Sequence, residues 1–272
     1  MSARRIALVA RHVFKESVRD RVLYAIGAFA LVLVAASILI AQISAGQDVK
    51  IIKDLGLATI ELAGIVMSVF VGIGLVSREI DRRSVFALLS KPLPRWEFVV
   101  GKYAGLVLTI FVNVVAMTAA LYLMLGYLHW SAAPAARLAW DAPAMDPRLL
   151  VAVALIFAEL ALLTAVALLF STFSSSALLS LVFTLGLFVA GTFSEDLRHF
   201  GDIMDVSPFV GHLVGAIGWI VPAFSAFDVK AQVVHALPVG TAFVAETLVY
   251  AVLYIAAVLV AAVFLFSRRE FR

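Results

Sequence analysis

Six runs of apolar residues set what this chain can fold into: roughly Val22–Ala45, Leu55–Val76, Tyr103–Leu128, Leu149–Phe170, Ala177–Phe193 and Ala242–Phe266. Each is near the ~20 residues that a helix needs to cross a bilayer. They are apolar on all sides rather than alternating, which excludes barrel strands and leaves the α-helix, the form that pairs every backbone group within its own segment. Composition agrees. Apolar residues make up 64% and charged residues 14%, against about a quarter charged in an ordinary soluble domain, and mean hydropathy is +1.07. The expected fold class is all-α, a polytopic membrane protein with six transmembrane helices forming a single transmembrane domain over 1–272. Cysteine is absent, so disulfides and thiolate ligands are excluded.

Basic residues orient the runs. Arg4, Arg5, Arg11, Lys15, Arg19 and Arg21 precede the first; Arg78, Arg82, Arg83, Lys91, Arg95 and Lys102 lie between the second and third; Arg268, Arg269 and Arg272 follow the last. These are 15 of the 21 Lys and Arg residues, and the other six are spread over three alternate loops. Both termini and the loop 77–102 are therefore expected to face the cytoplasm. Ala3 to Arg21 is too long to lead a signal peptide. Ile6, Val9, Ala10, Val13 and Ser17 fall on one helical face and Arg4, Arg11, Lys15 and Arg19 on the other, so 1–21 reads as an amphipathic interfacial helix against lipid headgroups, or as a plain topology anchor. In 194–241, Pro208 and Pro222 interrupt an apolar stretch, and a seventh crossing would place the C-terminus outside. Short re-entrant or interfacial helices between spans five and six are expected, with 203–224 as the candidate dip.

Several chemistries are excluded. "VVGKY" lacks a phosphate-loop glycine, because Trp96 stands five residues before the Gly-Lys pair and Tyr103 stands where Ser or Thr should hold magnesium. The chain is not expected to be an enzyme, nor to hold a cofactor or bind nucleic acid. No His-Glu-x-x-His occurs, and His199, His212 and His235 share the outer segment with several aspartates at no helical ligand spacing, so no metal site is expected. Polar residues inside the runs are more informative: Glu61, Asn113, Glu159 and Glu246. A charge in hydrocarbon usually faces a bundle interior, a partner or a wet cavity. Glu159 lies near the middle of its run, whereas Glu61 and Glu246 read as close to the outer ends. Each either holds helices together by hydrogen bonds or carries protons or substrate.

The loop itself, "SREIDRRSVFALLSKPLPRWEFVVGKYAGL" from Ser77 to Leu106, offers an apolar face beside basic residues, suited to a soluble partner. Its pattern resembles the signature of the permease subunits of ABC type-2 exporters, and the likeness extends to the amphipathic first helix, the six spans, the Ser-rich inner turn and the "FSRREFR" end. Inside that family the nearest likeness is to permeases grouped with the one serving nitrous oxide reductase maturation. The resemblance implies an ATP-driven exporter in the bacterial inner membrane. Its two permease copies, most simply a homodimer, would bind two copies of an ABC ATPase subunit that carries ATP and Mg. It makes Arg82 to Lys91 the first coupling helix, with Arg82, Arg83, Ser84, Phe86, Leu88, Leu89 and Lys91 as contact residues. Ser171 to Ser176, Ser174 and Ser175 included, form the second contact, and Glu79 and Asp81 match the acidic positions after span two. Low charge within the spans suits an amphipathic, lipid-linked or peptide-like substrate. A proton-coupled secondary transporter using Glu159, or a non-transporting scaffold, is the alternative.

Overall fold

The structure is a computed structural model that describes residues 2–17, most of 24–36, 48–81, 94–134, 137, 140, 142–174, 176–204 and 207–268. The described residues are helical, without strands. They form α1 (Ser2–Ser17), α2 (Asp48–Asp81), α3 (Arg95–Ser131), α4 (Leu149–Phe173), α5 (Ala177–Thr192), α6 (Ser194–Arg198), α7 (Phe200–Ile203), α8 (Pro208–Ile220), a 3-10 turn (Phe224–Phe227), α9 (Lys230–Val234) and α10 (Thr241–Arg268). Of the first apolar run, the described residues between 24 and 36 are helical.

Among the described residues, four helices are long and apolar enough to cross a membrane: Val49–Ile73 within α2, then α3, α4 and α10. A fifth is added if Phe209–Ile220 and Phe224–Val234, which meet at 45°, count as one broken span. Pro222 lies at that break, and Pro208 opens α8 at a position where its missing N–H is no loss. The fifth run folds as the 16-residue α5, about 24 Å at 1.5 Å per residue, so it falls short of the ~30 Å hydrocarbon core.

Chain directions follow from side-chain pairs. Gly64 of α2 meets Leu160 of α4 and Gly72 meets Ala167, so these helices run parallel; a Cβ at Gly72 would lie 2.6 Å from the Ala167 Cβ. With Ser68 between them, the two glycines give a small residue every fourth position, the spacing that lets helix backbones approach closely within lipid. α3 runs the opposite way: Tyr103 Oη donates to the Ala161 carbonyl at 3.2 Å, Phe111 packs edge-on against Phe157, and Tyr122 Oη donates to the Asp146 carbonyl at 2.9 Å. Phe98 stacks on Phe266 with ring centroids 5.8 Å apart, so α10 is antiparallel to α3 and parallel to α4. The bundle has two distinct ends. One, called here the base, gathers α1, the start of α3, the close of α4 and the end of α10 around Val13, Val99, Leu106, Leu168 and Phe266. The other, the top, holds the start of α2, the 132–148 connection and α9.

α4 is the centre: from Leu160 to Leu168 every residue is buried, and α2, α3 and α10 surround it. A helix apolar all round is what a central position requires.

Candidate functional site

At the base, α1 shows the face that its sequence pattern predicts. Val13 and Ser17 are buried, Ile6, Val9, Ala10 and Phe14 half-buried, and Arg4, Arg11 and Lys15 exposed. Its apolar face, however, meets protein: it crosses the first turns of α3 at Gly101 and Gly105. A Cβ on Gly105 would come within 2.6 Å of the Ala10 carbonyl oxygen and 2.7 Å of the Val13 Cβ; one on Gly101 would lie 2.8 Å from the Val9 Cβ. The glycine of "VVGKY", read above only as a failed phosphate loop, is thus the seat for α1. The signal that finds it is the four-residue spacing of the two glycines.

Three charged side chains complete the base. Arg95, one residue into α3, reaches the C-terminal end of α10, where Nη1 donates to the carbonyls of Phe266 at 3.1 Å and Ser267 at 2.5 Å. A helix ends with carbonyls that lack intrahelical donors and a partial negative charge, so a guanidinium there is doubly favourable. Glu97 lies in the first turn of α3, where a carboxylate suits the helix dipole. It is buried and 3.9 Å from Arg5 Nη1. Lys102 is buried to 1% exposure with Nζ 5.0 Å from the centre of the Phe98 ring.

Arg82, Arg83, Ser84, Phe86, Leu88, Leu89, Lys91 and Ser175 lie outside the described residues. Both ends of their loop, Asp81 and Pro94, are described, and Pro94 leads directly into Arg95. Ser174 is placed: its Oγ donates to the Ser176 carbonyl at 3.0 Å and accepts from the Ser176 N–H at 3.3 Å. Ser171 Oγ donates to Leu168 O, and Ser180 Oγ lies 3.3 Å from Phe170 O and 3.2 Å from Ser176 O. These hydroxyls add side-chain bonds to carbonyls around the junction of α4 and α5, so the serines shape the turn.

The upper half holds a second polar set. Glu61 lies roughly 20 Å along α2 from its start at Asp48, at 1.5 Å per residue. It is deeper than its apolar run suggests, because α2 begins seven residues before Leu55. Lys230, the first residue of α9, donates its ammonium to Glu61 Oε2 and lies 3.5 Å from Asp228 Oδ2. The Glu61 and Lys230 side chains are 18% and 17% exposed. Glu159 is 5% exposed and close enough to Glu61, Lys230 and Asp228 for their charges to act on it. The sequence singled out Glu61 and Glu159 but not that they share a site, and it left Lys230 among loop residues. Asn113 is elsewhere: Nδ2 donates to the Thr109 carbonyl at 2.9 Å, and its Oδ1 faces Gly27. Glu246 is exposed on α10.

Above these groups, Lys53 is fully buried and Nζ donates to the Pro143 carbonyl at 2.7 Å. Asp146, also buried, accepts from the Arg148 N–H at 2.9 Å through Oδ1, and the Arg148 guanidinium donates to the Ala236 carbonyl. These contacts tie the 132–148 connection to α2 and to the chain after α9. Among the described residues no three His, Cys, Asp or Glu side chains come together as a metal site would require.

A bundle of helices long and apolar enough to cross a bilayer defines an integral membrane protein. The family model described as "ABC-2 family transporter protein" matches residues 7–271, nearly the whole chain. The chain belongs to that family, whose membrane domains are the permease subunits of ABC transporters and work with an ABC ATPase. A comparison with curated proteins finds no match.

Proposed function

We propose that this chain is the permease subunit of an ATP-driven exporter, and that its base is where a separate ATPase engages. The observation that supports this most directly is the convergence at one end. α1, both ends of the 82–93 loop, the serine turn and the close of α10 meet there, and Arg95 joins the loop's exit to the carbonyls of α10. A push on that loop would pass through Arg95 to α10 and through Gly105 to α1. ATP would close the ATPase pair, the docked loops would move with it, and the helices would shift between two packed arrangements. Arg82 to Lys91 is the first coupling helix in this reading and the turn at Ser174 and Ser175 the second. Six spans, counting the short α5 as the fifth, with both termini cytoplasmic, a re-entrant α8 to α9 segment, two permease copies in the bacterial inner membrane and an amphipathic cargo complete the proposal.

Replacing Phe86 and Leu89 by Asp places two carboxylates in an apolar contact, where an unpaired buried charge typically costs several kcal/mol. Pull-down of the ATPase at equal membrane levels is expected to fail for the double variant, while insertion survives because the orienting basic residues remain. Wild-type recovery of the ATPase with full ATP hydrolysis would reduce the loop to a topogenic hinge. Topology has its own check: cysteines at Ser84 and Ser174 should react with an impermeant thiol reagent only from the cytoplasmic side, and one at Asp202 only from outside.

One observation favours a second reading, a proton-coupled secondary transporter: the buried Glu159 carboxyl among other charges. Substrate uptake driven by a pH gradient into vesicles holding this chain alone would support it.

A further inference from the structure

Within the upper polar set carboxyl groups outnumber ammonium groups. Glu61, Glu159 and Asp228 supply three carboxyl groups and Lys230 one ammonium, and that ammonium is bonded to Glu61 with Asp228 at 3.5 Å. Asp228 is half exposed and can be served by water. Glu159 is 95% buried, its carboxyl makes no hydrogen bond or ion pair with any described residue, and it stands within electrostatic reach of the other three. A carboxyl group held in a helical bundle without a donor takes up a proton or accepts a cation.

We propose that Glu159, together with Glu61, forms a binding site for the ammonium group of an amphiphilic amine, and that Lys230 fills part of that site as a tethered competitor when the ligand is absent. Three features select this class. An ionised Glu159 has no cation of its own, because the Lys230 ammonium is bonded to Glu61. The three carboxyls do not converge closely enough to hold a metal ion, nor do any three such groups among the described residues. The surrounding bundle is apolar, with Ile60, Ala63, Ile156 and Leu160, sequence neighbours of the two glutamates, in its buried core, so a ligand entering at this depth needs an alkyl body as well as a charge. Lys230 is itself such a group, an ammonium on an aliphatic stem, and its attachment to short α9, beside the break at Pro222, lets it leave Glu61 as the segment shifts. This deepens the exporter reading by naming the class of cargo, and it rests on that reading only for the word cargo. The test uses the permease without its ATPase, so failure of the ATPase pull-down and failure here are separate results.

The experiment measures binding of dodecylammonium to the full chain in phosphatidylglycerol nanodiscs, with dodecanol as the uncharged control. Wild type should bind the amine at least tenfold more tightly than dodecanol. Lys230→Gln should bind it a further tenfold more tightly, because the competing ammonium is gone, and Glu159→Gln should lose the preference for amine over alcohol. A structural latch predicts the opposite for Lys230, no gain from its removal. Equal binding of amine and alcohol in wild type, or an unchanged preference in Glu159→Gln, overturns the proposal. A measurement on unsubstituted protein guards against variants that do not fold: a diazirine-bearing dodecylammonium should label the peptides around Glu61 and Glu159, and dodecylammonium but not dodecanol should displace it. Labelling confined to other helices also overturns the site. Repeating the titration in phosphatidylethanolamine discs separates the sources of the amine: a response lost there identifies the lipid headgroup as occupant, and a response retained identifies a free amine.

Discussion

The base and the upper polar set both place charged side chains inside an apolar bundle, but they handle the charge differently. At the base each helix end supplies a partner: Arg95 takes the carbonyls at the close of α10, and Glu97 lies in the first turn of α3 near Arg5. Close packing at Gly101 and Gly105 fixes the helices that carry those groups. In the upper half one ammonium serves two carboxylates and a third goes unserved, and the lysine comes from a five-residue helix next to a break. A closely packed region transmits force as a unit, whereas a polar set held by a short segment can rearrange with less repacking. The first suits coupling to a partner and the second suits a site that opens and closes.

Substitutions can break this comparison, and the largest effect belongs to the base. Gly105→Leu drives a side chain into the backbone and Val13 of α1 and should cost about 3 kcal/mol, the upper end for overpacking, read as a lower unfolding midpoint in nanodiscs. Gly186→Ala is the internal control, because an added Cβ there meets nothing within 4 Å; it should leave the midpoint unchanged or raise it slightly. An equal drop in both would mean that α1 is not seated on α3 as described.

Arg95→Ala comes next. It removes charge-assisted bonds to two carbonyls, so the loss should be about 2 kcal/mol. Hydrogen exchange should speed up over the last turn of α10 and leave the start of that helix as in wild type. Exchange that rises evenly along α10 would show that Arg95 does not act as its clasp.

The smallest effect is expected in the upper half. Lys230→Ala leaves Glu61 without its ammonium, but both side chains retain some solvent, so the cost should be only about 1 kcal/mol. Proteolysis within 221–237 should increase while the base keeps its protection. A loss larger than that of Arg95→Ala would make the upper set the more rigid region and reverse the contrast.

Much of this was legible in the sequence because the signals were local. The unbroken apolar runs of α3, α4 and α10, the two-faced pattern of α1 and the family likeness carried by the 77–106 stretch depend on residue type and spacing alone. Tertiary structure decided the rest, since it depends on which elements meet. The sequence could place Glu61 and Glu159 on two helices, but only the parallel packing of α2 and α4 at Gly64 and Gly72 sets their depths side by side, and only the fold returns Lys230, 169 residues later, to Glu61. The sequence marked α1 as amphipathic, yet lipid and a protein groove reward the same apolar stripe. What distinguishes them is a pair of glycines more than 80 residues further along the chain, whose missing side chains leave room for a second helix.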